Sequence, residues 1–411
     1  MTDSSPAAQP NANQIFMVTN HQDFSSWAAD SGYRIHEWPL PPPAALPHNL
    51  RFMPPVVQQM AGHEHSTRPT RTRAVCAEGG KLLFWKWPPG PTIPNGDELI
   101  VPLSRANGVV FDPYWLRRYP FVDGVSADGK LYRFNLSRFA PNYFHVKGDY
   151  AFVGGRTNFG HWLGDFLPNF RFTEHIEAPA PRVVTTKLQP WQRDMLPYFP
   201  AQGGVAELDP QALCSVFEFE RLWFAEQLPF SDRIGYIRDR FLRDRPPEGG
   251  AGPRRIYLSR AAQGNRARVA NDDEITEYLT TKDFSIIHSE RLSTRENIEA
   301  INGADIVITA PGSGYFNYFA FSKRRSVLIN LWPRNLFYGC PENFQRGALY
   351  YNYPFLDQTI FTLGTLTRPA DSDIFPLNIP AMYSIEKIKA AIDAAEDYLV
   401  RDRSHTLLVV E

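Results

Sequence analysis

The stretch GGRTNFGHWLGDFLPNF, residues 154–170, carries an ionisable pair in a run that is mostly aromatic and apolar. His161 and Asp165 are four residues apart, and positions i and i+4 share a helix face, so their side chains can hydrogen-bond or converge on one ligand. An imidazole suits a general base near neutral pH, and a carboxylate can orient it. The alternative is a histidine that caps or fills a core helix, with the aspartate at a solvated edge.

A second group of candidates is basic. In IYLSRAAQGNRARVANDDE, residues 256–274, Arg260 ends an apolar strand, and Arg266 and Arg268 follow on a polar loop before a helix. Strand carboxyl ends in open α/β sheets face the ligand crevice. Arginines there can hold a phosphate through paired N–H groups and stabilise a departing diphosphate. The alternative is a solvated basic loop.

The third candidate is a glycine turn in ADIVITAPGSGYFNYFAFS, residues 304–322. An apolar strand runs into Gly312, Ser313 and Gly314, and a predicted helix starts at once. Backbone N–H groups at a helix N-terminus favour an anion such as a diphosphate, and glycine permits its close approach. The alternative is a tight turn of the kind found in any α/β fold. The turn is no P-loop, and Pro311 excludes the hydrolase nucleophile elbow.

The elements around these residues alternate between strand and helix, which predicts βαβ units and parallel sheets. One alternating set covers residues 151–245 and a cleaner one covers 254–380. Residues 246–253 form a predicted linker because seven of the eight are Pro, Gly or Ala. We expect a disordered or extended segment over 1–55 and a β-rich region over 56–150 that joins the N-terminal lobe.

Composition is that of an ordinary globular protein of 411 residues, with 43% hydrophobic residues and a formal net charge of −1. The length predicts two or three units. A net charge this close to zero gives no overall electrostatic reason to expect nucleic acid as a partner. Three distant cysteines suit a reducing compartment and form no metal cluster. No long apolar stretch and no signal-like N-terminus is present, so we expect a cytoplasmic location.

Taken together, these segments resemble glycosyltransferase family 61, also described as the capsular-polysaccharide-biosynthesis type. The resemblance rests on NFGHWLGDFLPNF, RRIYLSRAAQGNRARVANDDEI and LSTRENIEAINGADIVITAPGSGYFNYFAF, which occur in the family's order over roughly residues 150–335. It implies a GT-B fold: two Rossmann-like domains facing across a cleft, with the N-terminal one on the acceptor side. It also implies inverting transfer from a nucleoside-diphosphate sugar, here expected to be UDP-linked, without an obligatory metal or other cofactor.

The resemblance also assigns roles to residues. His161 and Asp165 match the family's catalytic motif. The positions expected to bind the donor or its diphosphate are Ser259, Arg260, Arg266, Arg268, Glu290, Gly312, Ser313, Gly314 and Asn317. Asn271 matches the family's asparagine before the next helix. GT-B chains commonly return a final helix to the first domain, the role predicted for residues 384–400. Two positions depart from the pattern: Pro311 replaces a frequent histidine, and Asn169 replaces an arginine.

The expected partners are a nucleotide sugar and a glycan or glycolipid acceptor, with a possible peripheral association with the membrane or a polysaccharide assembly complex. Two other functions stay open: an inactive nucleotide-sugar-binding subunit and a GT-B-shaped sugar-nucleotide epimerase. The sequence also leaves open whether His161 or Asp165 is the base.

Overall fold

The structure is a computed structural model. It describes residues 15–19, 28, 32–43, 45–47, 53, 55–87, 97–103, 122–125, 131–135, 142–155, 158–177, 179–209, 214–226, 228–246, 249–261, 268–310, 312–338, 350–368, 379–401 and 409–410. The chain divides into two compact units. Unit 1 comprises Met1–Pro41 and Pro69–Leu228, and unit 2 comprises Pro42–Arg68 and Pro229–Glu411.

The elements are numbered in chain order. Those before residue 229 are β1 (Ile15–Thr19), β2 (Ile35–Pro39), α1 (Pro55–Thr67), β3 (Arg71–Glu78), β4 (Lys81–Trp87), β5 (Asp97–Leu103), β6 (Val122–Val125), β7 (Leu131–Asn135), β8 (Asn142–Phe152), α2 (159–173), β9 (Arg182–Thr186), α3 (Pro190–Met195), β10 (Val205–Leu208) and β11 (Cys214–Ala225). Those after it are α4 (Phe230–Phe241), β12 (Arg255–Leu258), α5 (Asp272–Thr280), β13 (Ser285–Ile287), α6 (Thr294–Gly303), β14 (Ile306–Thr309), α7 (Tyr315–Phe321), β15 (Val327–Pro333), α8 (Arg334–Tyr338), β16 (Thr359–Leu366), β17 (Ala381–Met382), α9 (Ile385–Arg401) and β18 (Val409–Val410).

The main sheet of unit 1 combines parallel and antiparallel strands. Its order is β10-β9-β8-β11-β3-β2, and the first four strands of that order are parallel. β11 pairs antiparallel with both β3 and β4, so the predicted β-rich region and the predicted Rossmann-like region share one sheet. The N-terminal half of β11 is nearly all buried, as expected of a central strand covered on both faces.

The described residues among positions 1–55 include two strands that pair in sheets, where we expected a disordered or extended segment. β2 extends the main sheet by pairing with β3. β1 pairs with β7, which also pairs with β6, in a small antiparallel sheet.

Unit 2 is a doubly wound α/β unit with strand order β13-β12-β14-β15-β16, all parallel. β14 and β15 are buried along their whole length because helices cover both faces. One face packs against α5 and α9. On α4, Phe241 and Phe230 pack against aromatic rings of α7. Both large sheets are rich in parallel strands, which agrees with the predicted α/β class.

The final helix, α9, packs within unit 2 and does not join the first unit, contrary to the expectation for residues 384–400. Ile388, Ala391, Ile392 and Ala395 recur at helical spacing and are buried in the unit 2 core. Arg255, at the start of β12, lies 2.8 Å from a carboxylate oxygen of Glu396 on the same helix. The apolar stripe of α9 therefore packs against the sheet of unit 2.

Two boundaries also differ from the prediction. Residues 42–68, which contain α1, belong to unit 2, where Arg68 Nε donates to Asp232 Oδ2 of α4 over 2.6 Å. The described residues of the predicted linker, 246 and 249–253, are docked on α6 of the same unit. The backbone N–H of Gly250 donates to Asn302 Oδ1, and a β-carbon on Gly252 would overlap with α6 backbone. The division falls instead between Leu228 and Pro229.

None of the described helices combines the length and the apolar character needed to cross a membrane.

Candidate functional site

In unit 1, the imidazole of His161 and the carboxylate of Asp165 are hydrogen-bonded. The distance from His161 Nδ1 to Asp165 Oδ2 is 2.6 Å, and the two side chains are 24% and 18% exposed. A carboxylate at Nδ1 favours the tautomer that carries its proton there, which leaves the lone pair on Nε2. The arrangement can therefore orient a general base whose Nε2 accepts a proton, as the spacing of the two residues suggested.

The helix that carries this pair is irregular, although the sequence predicts a plain helix. α2 consists of an α-turn, a π-helical turn over Trp162–Phe166, a 3₁₀ turn and a last α-turn. The side chain of Asn158 caps its start by accepting from the backbone N–H of His161 over 3.2 Å. π-turns are rare inside helices and are frequent at functional sites.

The loop that leaves β8 holds this helix in place. Gly154 has φ +100°, and a β-carbon there would overlap with the ring of Phe166. Asn169 donates through Nδ2 to the carbonyl oxygens of Val153 and Asp165 over 3.0 and 3.1 Å. Asn169 departs from the family's arginine, and in this chain it links α2 to the residue that follows β8.

Two threonines at the end of β9 were missed by the sequence reasoning. Thr185 and Thr186 are 1% and 0% exposed, and within the described part of the chain their hydroxyls have no hydrogen-bond partner. A β-carbon on Gly155 would lie 2.6 Å from Thr186 Oγ1 and 3.0 Å from Thr185 Oγ1. In the sequence, the only sign of these two residues is that they are consecutive polar residues at the carboxyl end of an apolar strand.

In unit 2 the strand order locates the candidate ligand crevice. β12 comes first along the chain, β13 second and β14 third, so the order 2-1-3-4-5 reverses between β12 and β14. In open α/β sheets, ligands bind outside the strand carboxyl ends at such a switch point. Arg260 follows β12, and the glycine turn follows β14. Both predicted segments therefore flank the switch point.

Arg260 and Gly312 are in direct contact there. Gly312 has φ +119°, and a β-carbon at this position would overlap with Nη1 of Arg260 and lie 3.4 Å from its Cζ. The guanidinium therefore lies against the bare backbone of the turn. Gly314 is different: its backbone is helical, and a β-carbon would meet only ordinary contacts at 3.8 Å or more.

Ser259 and Asn271, which match the family motif, hold the backbone in place. Ser259 is 3% exposed and donates to Asp272 Oδ2 over 2.9 Å, while Tyr257 donates to the other carboxylate oxygen. Burial, followed by the nearby Asp272, raises the pKa of Tyr257, so its hydroxyl remains the donor. The side chain of Asn271 donates through Nδ2 to the carbonyl oxygen of Tyr383 and accepts through Oδ1 from the backbone N–H of the same residue. The hydroxyl of Ser259, which we expect to bind the donor, donates to Asp272 in this structure, and its role at the donor stays a prediction.

The remaining predicted residues lie around the same edge of unit 2. Arg268 is buried at 8% exposure, and its segment pairs with β17 through Ala381. Ser313 is partly exposed in the glycine turn and Glu290 is exposed. Asn317 in α7 is 3% exposed, and among the described residues its Oδ1 has no hydrogen-bond partner. The predictions for Arg266 and Pro311 lie outside the described residues.

In the described part of the chain, no group of three or more His, Cys, Asp or Glu side chains could hold a metal ion.

The parallel strand order defines a doubly wound α/β unit, and the arginine at its switch point marks a candidate ligand site at the strand ends. A family model described as Glycosyltransferase 61 matches residues 159–328. The matched part of the chain is similar to this family, and it includes every predicted site residue. The family name is that of sugar-transferring enzymes. Comparison with curated proteins found no significant match.

Proposed function

We propose that this protein is an inverting glycosyltransferase that moves a sugar from a nucleoside-diphosphate sugar, expected to be UDP-linked, to a glycan or glycolipid acceptor. The observation that supports this most directly is the guanidinium of Arg260 against the backbone of Gly312 at the sheet's switch point. A fixed cation at that position matches a ligand whose leaving group is a diphosphate. The Glycosyltransferase 61 match supports the transfer of a sugar to an acceptor.

In the proposed reaction, an acceptor hydroxyl attacks the anomeric carbon of the donor. The new glycosidic C–O bond forms as the bond to the diphosphate oxygen breaks, and configuration inverts. His161 Nε2 takes the hydroxyl proton, and the Asp165 carboxylate 2.6 Å from Nδ1 stabilises the imidazolium that forms. Arg260 and Arg268 offset the charge on the departing diphosphate, so the proposal requires no metal ion.

The resemblance to a GT-B enzyme is part of this proposal. The His161–Asp165 pair lies in unit 1, and the residues proposed to bind the donor lie in unit 2. A cytoplasmic location and a role in capsule, exopolysaccharide or lipopolysaccharide synthesis belong to the proposal as well. The sugar, the linkage and the acceptor are left to experiment.

The first test measures donor binding. UDP, GDP, CDP and their sugar conjugates are titrated into the wild-type chain by calorimetry, in parallel with Arg260→Ala. We expect one nucleoside diphosphate to bind and Arg260→Ala to weaken its binding by about 10- to 150-fold, because a charge-assisted hydrogen bond contributes about 1.5–3 kcal/mol. If none of these ligands binds, the proposal of a nucleotide-sugar enzyme is wrong.

The second test separates catalysis from binding. His161→Ala should lower turnover by about 10²- to 10⁴-fold, the usual contribution of a general base, and leave the donor Kd unchanged. Loss of donor affinity in this variant would instead show that His161 takes part in binding the donor. Donor binding by the wild type without turnover on any glycan acceptor would favour the inactive-subunit alternative. Donor epimerisation without an acceptor would favour the epimerase.

A further inference from the structure

The carboxyl end of β13 carries a group of buried polar atoms that the proposed reaction does not use. Among the described residues, His288 Nδ1, Ser289 Oγ and Asn297 Oδ1 are buried and have no hydrogen-bond partner. An unsatisfied buried donor or acceptor costs about 1–3 kcal/mol. Three such atoms close together therefore call for an explanation. His288 as a whole residue is only partly buried.

The backbone that presents these atoms is tightly held. Residues Ser289–Arg291 form a 3₁₀ turn directly after His288. Asn297, which is 7% exposed, donates through Nδ2 to the carbonyl oxygens of Ser289 and Leu292 over 3.0 and 3.3 Å. The backbone that follows His288 is therefore tied to α6.

The register of the sheet places His288 beside the proposed diphosphate site. Leu258 of β12 is opposite Ile287 of β13, and the backbone N–H of Ser259 donates to the carbonyl of Ile287 over 3.0 Å. His288 is thus one strand away from the Ser259–Arg260 segment, and parallel strands lie about 4.8 Å apart. That spacing suits one ligand that spans both strand ends.

A nucleoside diphosphate held by Arg260 must extend its nucleoside toward one side of the switch point. On one side, β15 ends in the buried pair Trp332 and Pro333, and α8 starts at the next residue. On the other side, β13 ends in an imidazole and a hydroxyl. The ribose carries two vicinal hydroxyls that both donate and accept, and side chains beside the phosphate turn bind ribose in related folds.

We propose that His288, together with Ser289, binds the ribose hydroxyls of the nucleoside diphosphate, and so makes the donor site selective for ribonucleotides. The proposal rests on the proposed function, because it requires a nucleoside diphosphate at the switch point. It differs from the expectation from the family motif, which assigned the neighbouring exposed Glu290 to the donor.

The test compares three ligands: UDP, 2′,3′-dideoxy-UDP and inorganic pyrophosphate, which lacks the nucleoside. GDP or CDP and its dideoxy form replace the uridine pair if UDP does not bind. Calorimetry gives Kd for the wild type, His288→Ala, His288→Gln and Glu290→Gln, and circular dichroism verifies the fold of each variant. His288→Gln keeps a polar group in place if the alanine variant does not fold.

We expect the wild type to bind the dideoxy ligand about 5- to 10-fold more weakly than UDP, a loss typical of neutral hydrogen bonds. His288→Ala should remove this ratio and leave pyrophosphate binding unchanged. The proposal is overturned if wild type does not discriminate, if the ratio survives in His288→Ala, or if Glu290→Gln removes it instead. Failure of the wild type to bind any nucleotide or pyrophosphate would overturn the proposed function, and this inference with it.

Discussion

The contact between Arg260 and Gly312 predicts an unusually sharp difference between two neighbouring glycines. Gly312→Ala adds a methyl group where Nη1 of Arg260 lies, in a backbone with φ +119°. Gly314→Ala adds the same group two residues later, in a helical backbone, with Thr309 Oγ1 at 3.8 Å as the nearest atom. Both variants add one methyl group, but the position is crowded at Gly312 and uncrowded at Gly314.

The expected magnitude has two parts. A side chain held in a backbone conformation that favours glycine costs about 1–3 kcal/mol of folding free energy. The added methyl also displaces the guanidinium, and loss of its charge-assisted hydrogen bonds weakens diphosphate binding by about 1.5–3 kcal/mol, or about 10- to 150-fold in Kd. For Gly314→Ala we expect a change in Kd of less than about twofold and a loss of stability of less than about 1 kcal/mol, because Gly314 has helical φ and ψ and the added methyl meets only ordinary contacts.

The assay is calorimetric titration of UDP and of inorganic pyrophosphate into both variants, with urea unfolding as the measure of stability. Arg260→Ala in the Gly312→Ala background measures the coupling free energy between the two positions. If Gly312→Ala has already displaced the guanidinium, removing that guanidinium should weaken diphosphate binding little further. The two changes should therefore be strongly non-additive. The reasoning is refuted if Gly314→Ala weakens binding as much as Gly312→Ala, or if Gly312→Ala binds like wild type.

Other predictions concern stability. Gly154→Ala should lower the free energy of unfolding by about 2–4 kcal/mol, because it strains a φ of +100° and overlaps with a phenylalanine ring. Gly148→Ala has a φ of +101° but meets only an ordinary contact, with Tyr150 at 3.9 Å, so it should cost about half as much. Equal losses in urea unfolding would contradict the packing argument. Arg68→Met leaves Asp232 buried at 9% exposure and should cost about 3–5 kcal/mol. Arg71→Met, in an ion pair whose arginine is 60% exposed, should cost less than about 1 kcal/mol, and a similar loss in both would refute the docking of residues 42–68 on unit 2.

Much of the site was accessible from local sequence patterns. The i, i+4 spacing predicted that His161 and Asp165 meet, and they are hydrogen-bonded. Strand and helix periodicity predicted the elements around Arg260 and the glycine turn. These predictions succeeded because each depends on neighbours within a few residues. The π-helical turn around Asp165 was not predicted, because it depends on how the helix packs against the loop after β8.

The long-range relations were decided by the tertiary structure alone. Composition predicted a linker at residues 246–253, yet close backbone contacts of Gly249 and Gly252 dock its described part on α6. Helical periodicity predicted α9 and its apolar stripe, but not which sheet the stripe would cover. Sequence identifies surfaces that must be buried, but the partner is chosen by packing among all available surfaces.

By itself, the sequence determined the α/β class, the unit 2 elements and the residue types available for acid–base and diphosphate chemistry. Only the tertiary structure decided that Arg260 lies against Gly312, 52 positions further along the chain, that Ser259 is engaged with Asp272, and that His288 flanks the switch point. The physical reason is that strand order and register bring together residues whose separation along the chain carries no information about their distance in space.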